Sequence, residues 1–222
     1  AWQRARELIQ EGKIGRPVTW NLSSVGLRND YYRGANNWMW DFEKGGGMIM
    51  DGSIHHFDLI QWICGKPVEM FARSSRICEE VTAPTEAAAY VRFESGDHLN
   101  YAVAWQSHDF GPGGATMTAI GSKGTITMVD DWTCLLNAVG GKERFQVNAN
   151  TLIPAGLGGV WPFYQQLLAI HNGDVPRHPA LVTGEKALAS LWMAENVVAA
   201  GPHMRRFTFP IVPGEPTPTQ LP

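Results

Sequence analysis

Cysteine is scarce and unpatterned: Cys64, Cys78 and Cys134 are odd in number, far apart and form no C-x-x-C pair. This excludes a disulfide framework and a zinc knuckle, and it fits a reducing compartment. An excess of either charge is also missing. Lys and Arg number 18 against 21 Asp and Glu, a formal net charge of -3, and no basic block could follow a phosphate backbone. Nucleic acid is therefore not an expected partner. No apolar run approaches the ~18 to 20 residues that cross a bilayer, and no charged, apolar, small-residue leader opens the chain, so the expectation is a cytoplasmic protein away from membranes. An initiator methionine is lacking too, and no Ser, Thr, Asp or Asn precedes the first helical segment as a cap. Ala1 is accordingly read as an internal position of a longer polypeptide.

What is present is ordinary globular material. With 222 residues, 44% hydrophobic and 18% charged, the chain can bury one large core or two small ones. Trp2, Ala5, Leu8 and Ile9 have helical spacing and stop at Gly12. Strand patterns follow at 18–25, 68–77, 87–93, 99–106, 116–120 and 125–129, with ESGD and GSKG as hairpin turns. The Asn- and Gly-rich segment LRNDYYRGANNWMWDFEKGGG reads as a long loop. Two later segments, VWPFYQQLLAIHNGD and TGEKALASLWMAENVVAAG, read as helices, the second capped by Thr183 and stopped by Gly201, and both are expected to cover one sheet face. The fold class expected is α+β, an open, mostly antiparallel β-sheet with helices on one face. It occupies residues 1–212, with an extended Pro- and Thr-rich tail at 213–222.

The helix expected within GGGMIMDGSIHHFDLIQW carries unusual polar content. At about 100° per residue, Asp51, His55, Asp58 and Trp62 fall on one stripe roughly 60° wide, and His56 lies off it. Apolar residues around the remaining circumference predict a largely buried helix. A buried carboxylate or imidazole needs a partner, and Asp51 and Asp58 lie one turn on either side of His55. The stripe is then either a satisfied polar seam or a site. Gly45, Gly46 and Gly47 would leave the first turn's amides open to a ligand. A metal centre would need a third ligand such as His98 or His108 in addition to Asp51 and His55, and none is expected. Tyr31, Tyr32, Trp38 and Trp40 precede the glycines and are candidates either to stack on the flat face of a ligand or to pack as a lid.

The string GGGMIMDGSIHHFDLIQWICGKP resembles the signature of the C-terminal domain of the Gfo/Idh/MocA oxidoreductases, where a Gly-rich turn leads to D-x-x-x-H-x-x-D and then W-x-x-G. These positions are Asp51, His55, Asp58, Trp62 and Gly65, and EGKIGRPV, FESGDHLNYAVAW and AIGSKGTI extend the likeness. The resemblance implies a domain that binds substrate and pairs through its sheet into a homo-oligomer. It further implies oxidation or reduction of a carbinol carbon of a sugar, inositol or related polyol with NAD or NADP. His55 would then be the catalytic base, with Asp51 or Asp58 orienting it. Asp58, Trp38, Tyr31 and Tyr32 would contact substrate, and Gly46 and Gly47 would lie near cofactor. Two features depart from the family pattern. Trp38-Met39 stands where Trp-Arg is common, and neither G-x-G-x-x-G nor the E-K-P lysine of the family's Rossmann domain occurs. GPGGAT and GLGGVW lack the third glycine. Two functions are compatible with this: the substrate half of a dehydrogenase, or a carbohydrate-binding or assembly subunit without catalysis.

Overall fold

Helix α1 (Trp2–Gln10) buries Ala5, Leu8 and Ile9, as its spacing predicts. It opens without a side-chain cap, and past Glu11 the chain reverses at Gly12, where φ is +72°. In the computed structural model, residues 1–27, 38–76, 81–106, 114–147, 161–174 and 184–209 are described. Strand β1 (Thr19–Leu27) follows α1, and a short 3-10 turn (Trp38–Trp40) and helix α2 (Phe42–Gly45) lead into helix α3 (Met48–Cys64). Then come β2 (Pro67–Ser75), β3 (Glu86–Phe93), β4 (His98–Gln106), β5 (Gly114–Gly121), β6 (Gly124–Asp130), β7 (Thr133–Ala138) and β8 (Gly141–Gln146). Helices α4 (Trp161–His171) and α5 (Gly184–Ala199) and strand β9 (Arg205–Thr208) complete the described elements.

The described strands form one sheet in the order β8-β7-β6-β5-β1-β4-β3-β2-β9. Every pairing is antiparallel except β1 with β4. The α+β expectation therefore holds, and both hairpin turns lie where ESGD and GSKG place them. Strands β7 and β8 extend the sheet beyond the sequence expectation. Side-chain alternation gives the sheet two unlike faces. One buried row runs Leu136, Ile126, Ala119, Trp20, Leu99, Val91, Met70 across neighbouring strands. Helices α1, α3 and α5 cover this face: Trp2 stacks on Trp20 at 5.8 Å, Phe57 meets Tyr101 at 4.9 Å, and Ser74 Oγ donates to the Val198 carbonyl at 3.1 Å. The opposite face presents Asn21, Ser23, Asn100 and Ala102 to solvent.

Helix α4 departs from the expectation that both late helices cover the sheet. Tyr164, Leu167 and Leu168 are exposed, and no described side chain of α4 joins the core. Thr183 and the 213–222 tail lie outside the described residues. No described helix is long and apolar enough to cross a membrane.

The parallel junction between β1 and β4 is held by a buried charge. Asp97 is fully buried just before β4; its Oδ1 accepts from the Val18 N–H at 2.7 Å and its Oδ2 faces Arg16 Nη1 at 2.9 Å. The second approach is a charge contact rather than an aligned hydrogen bond. His98 N–H donates to the Val18 carbonyl at 2.9 Å, so the two strands start in register. Helix α3 is seated over β4 by a second polar contact, a 2.6 Å hydrogen bond between Ser53 Oγ and the buried Tyr101 hydroxyl. Burial pushes the Tyr101 phenol well above its ordinary range. His56 lies against the same tyrosine, ring centres 6.0 Å apart, with Nδ1 sealed and unpartnered. Its pKa is lowered from 6.5, first by burial and then by neighbouring His55, against an opposing pull from Asp131.

Two outcomes are expected. Asp97→Ala strands Arg16 and the Val18 amide and should cost about 3 kcal/mol in urea unfolding, the low end for a broken buried pair because Arg16 is partly exposed. A loss below about 1 kcal/mol would remove Asp97 from the junction. His56 takes up its proton in the unfolded chain before it does so in the folded one. Its contribution is complete above about pH 6.5 and disappears as pH falls through the lower folded value. The unfolding midpoint should therefore fall between about pH 7 and pH 5 less steeply in His56→Gln than in the parent.

Candidate functional site

Three glycines build the entry to α3, each for a steric reason. Asp41 caps α2 by accepting from the Glu43 N–H at 3.1 Å, and pairs with Lys44 at 3.1 Å. That ammonium holds the Asp41 carboxyl below its usual range, with the backbone bonds adding to it. A Cβ at Gly45 would stand 2.5 Å from the Trp38 ring. Gly46 ends α2 in the left-handed region at φ +71°, and Gly47, at φ +90°, would place a Cβ 2.3 Å from that of Ala83. Only glycine fits this backbone at these contacts. The first-turn amides that the sequence offers to a ligand are therefore crowded at Gly47, which is buried against Ala83.

A second small core fixes this turn to the sheet. Trp40, Met48 and Val81 are buried together, with Met39 and Trp105 against them. The Trp40 carbonyl accepts from Thr82 and Ala83 N–H at 3.1 and 3.3 Å, and Thr82 Oγ1 accepts from the Phe42 N–H at 2.8 Å. Trp105 lies directly over Gly26 of β1, where a Cβ would come within 1.8 Å of the ring, and 3.5 Å from the Cβ position of Gly52 on α3. Sequence reasoning missed this Gly26–Trp105–Gly52 sandwich: the strand expected at 18–25 stops short of Gly26, which lies within β1. Trp40 is consumed by this core and is not available to stack on a ligand. Trp38 is 44% exposed, with Gly45 beneath its ring. Tyr31, Tyr32 and His108 lie outside the described residues.

Helix α3 is buried on one side rather than all round. Ile49, Ser53, Phe57, Ile60 and Cys64 face the sheet, and burial raises the Cys64 thiol far above its ordinary value. His55 is exposed on the side away from the sheet, and Asp51, Asp58 and Trp62 are half-buried around it. The difference from the expected buried helix arises because α1 and α5 flank α3 within one layer and leave its outer stripe uncovered. Arg6 of α1 lies over Trp62 at 4.7 Å, and Ser190 of α5 donates to Asp58 Oδ1 at 3.4 Å. No hydrogen bond or ion pair joins His55 to either aspartate among the described residues. Asp58 already accepts from Ser190, whereas Asp51 sits in the first helical turn, where the helix dipole favours a carboxylate. His98 stands on the opposite sheet face, stacked on Tyr90 with its Nδ1 2.7 Å from the phenol oxygen, and cannot meet His55. Among the described residues no group of three His, Cys, Asp or Glu side chains could hold a metal.

The exposed imidazole can accept a proton from a group approaching from outside the helix layer, with Asp51 one turn below it. A 74-residue stretch is 36% identical to YteT of Bacillus subtilis (strain 168), a protein named as an oxidoreductase; it covers 32% of this chain and 17% of YteT. An oxidoreductase from Agrobacterium radiobacter, solved in complex with NAD+, L-tartaric acid and magnesium, superposes with a TM-score of 0.71 at 16% identity over 93% of this chain. The WlbA dehydrogenase from Bordetella pertussis, solved with NADH and UDP-GlcNAcA, gives 0.67 at 20% identity over 95%. At these identities the likeness to the two structures is one of fold, and this chain spans 61% and 60% of their lengths. The GFO/IDH/MocA C-terminal domain model matches residues 2–127, a span that holds the glycine turn and the whole Asp51–Trp62 stripe, and the chain belongs to that family.

Proposed function

We propose that this chain supplies the substrate-binding and proton-transfer side of a nicotinamide-dependent oxidoreductase acting on a sugar, an inositol or a related polyol. The observation that carries the reading is His55, exposed on the outer stripe of α3 with Asp51 one turn before it. The named complexes of the similar folds, with NAD+ and L-tartaric acid or with NADH and UDP-GlcNAcA, support a nicotinamide cofactor and a small hydroxylated substrate.

The described residues do not fit a dinucleotide cradle. Gly47, the best-placed glycine, is packed against Ala83, and Gly46 serves as the left-handed end of α2. A pyrophosphate would have to be held by residues other than Gly46 and Gly47. A nicotinamide held by residues other than these would supply the hydride acceptor for the carbinol carbon. In the oxidative direction the substrate hydroxyl gives its proton to a ring nitrogen of His55 as the C–O bond becomes a carbonyl, and His55 returns that proton in reduction. Asp51, whose carboxylate has no hydrogen-bond partner among the described residues, stabilises the imidazolium that forms; the Ser190 hydroxyl of α5 lies 3.4 Å from Asp58 Oδ1. Trp38, exposed and backed by Gly45, offers a flat surface to a sugar face, with Tyr31 and Tyr32 as further candidate contacts.

The uncovered sheet face is proposed to pair with a second copy. Ser23, Ala102 and Ala88 lie side by side in register there, small side chains that allow a flat, close approach.

His55→Ala in the native polypeptide should lower turnover at least tenfold, within the ~10²- to 10⁴-fold range of a lost general base, with unchanged unfolding behaviour because the residue is exposed. Near-parental turnover would leave a binding or assembly role. Ala102→Arg should shift sedimentation toward the monomer; an unchanged sedimentation profile would rule out pairing through this face.

A further inference from the structure

Two arginines of α1 have opposite fates. Arg4 is saturated: its Nε and Nη2 donate to Glu143 at 2.8 and 3.0 Å, and its Nη1 reaches Glu7 and Glu11, both at 3.3 Å. Arg6, half a turn further, has no hydrogen bond and no ion pair among the described residues. Its guanidinium lies over the ring of Trp62 at 4.7 Å, and its Nε is sealed from solvent without an acceptor. The terminal nitrogens are not sealed, so the open edge of the fork is the part left to bind. The indole Nε1 of Trp62 is a second buried donor without a partner.

A half-buried cation with an aromatic ring on one face and no carboxylate in ion-pair contact among the described residues is an unusual thing to keep, because an unsatisfied charged donor carries a desolvation cost. Its planar fork is shaped for two oxygens of one carboxylate or phosphate. The position adds the rest. Trp62 is seven residues beyond His55, which is about 10 Å along the helix and nearly the same angular position. Asp58, the carboxylate nearest in sequence on that stripe, accepts from Ser190 of α5, while Arg6 arrives from α1 on the other flank.

We propose that Arg6 and Trp62 form an oxyanion subsite at the C-terminal end of the α3 stripe. It takes a carboxylate or phosphate group carried by the substrate whose hydroxyl lies at His55. This rests on the assignment of His55 as the proton acceptor, but the subsite can be tested without turnover.

The ¹⁵N-labelled 222-residue chain is titrated separately with D-glucuronate, inorganic phosphate and neutral D-glucose, and the Trp62 indole N–H, identified by its loss in Trp62→Phe, is followed by NMR. Glucuronate should shift that signal saturably, and glucose at the same concentration should not. Arg6→Gln, which keeps the side-chain stem, should weaken the response at least tenfold. Arg205→Gln, an equal loss of charge on edge strand β9, should leave it intact. Response to glucuronate alone assigns the carboxylate, and response to both anions assigns a general oxyanion. No response to either anion, an equal response to glucose, or an undiminished response in Arg6→Gln would overturn the subsite. Loss of activity in His55→Ala is read separately, so failure of the subsite and failure of the catalytic assignment are distinguishable.

Discussion

The buried carboxylate of Asp97 governs the centre of this fold. It joins two halves of the sheet that sequence order alone would not bring together: β5 to β8 on the β1 side, and β3, β2 and β9 on the β4 side. The junction is the single parallel pairing among the described strands, and hairpin turns cannot enforce it, since parallel neighbours need a crossover. One side chain therefore does the registering. Its Oδ1 takes the amide of Val18, 79 residues earlier in the chain and just ahead of β1, and its charge is met by Arg16. Shifting β1 by one residue against β4 would turn Trp20 and Leu22 to the opposite face while Leu99 and Tyr101 stay on the core side.

Everything that places α3 is downstream of that junction. Tyr101 belongs to β4, and its hydroxyl meets Ser53 at 2.6 Å while its ring takes Phe57 and His56. Trp105, also of β4, is wedged between Gly26 of β1 and Gly52 of α3, so the helix start is gauged against both strands of the parallel pair. The two cores meet at this tryptophan. With the sheet-facing side of α3 fixed at two levels, one turn after another, its rotation is fixed too, and His55 is left on the outer side.

Local patterns made much of this legible. The hairpins were readable because strongly alternating strands flank ESGD and GSKG, and the Asp51–His55–Asp58–Trp62 stripe follows from helical period alone. Strand β8 was not, because an edge strand carrying Lys142, Glu143 and Arg144 has little apolar alternation to show, and charge is how such edges avoid pairing with other chains. The three glycines show a different limit. Their conformational need was evident, but its cause lies in Trp38 and Ala83, a contact that no window of sequence contains. The exposure of His55 was hidden for a related reason. Met50, Ile54 and Leu59 look like core residues, yet they are only half-buried, because they lie toward flanking helices or the open rim rather than the sheet.

That partial burial bears on the chemistry. A fully buried His55 would resemble His56, whose pKa is driven down by desolvation and which is confined against Tyr101. Two adjacent histidines on one helix thus differ in exposure. One is sealed and biased toward the neutral form; the other is open to whatever approaches the outer stripe. Proton transfer needs the second kind, since the accepting nitrogen must reach a substrate hydroxyl. The Ser190 hydroxyl lies 3.4 Å from both Asp58 Oδ1 and Gln61 Oε1, whereas no described side chain donates to Asp51, which is why Asp51 is the carboxylate assigned to His55 in the proposed reaction. The helix layer itself separates the two sides: the sheet side fixes position, and the outer stripe keeps His55 exposed, as the proposed proton transfer requires.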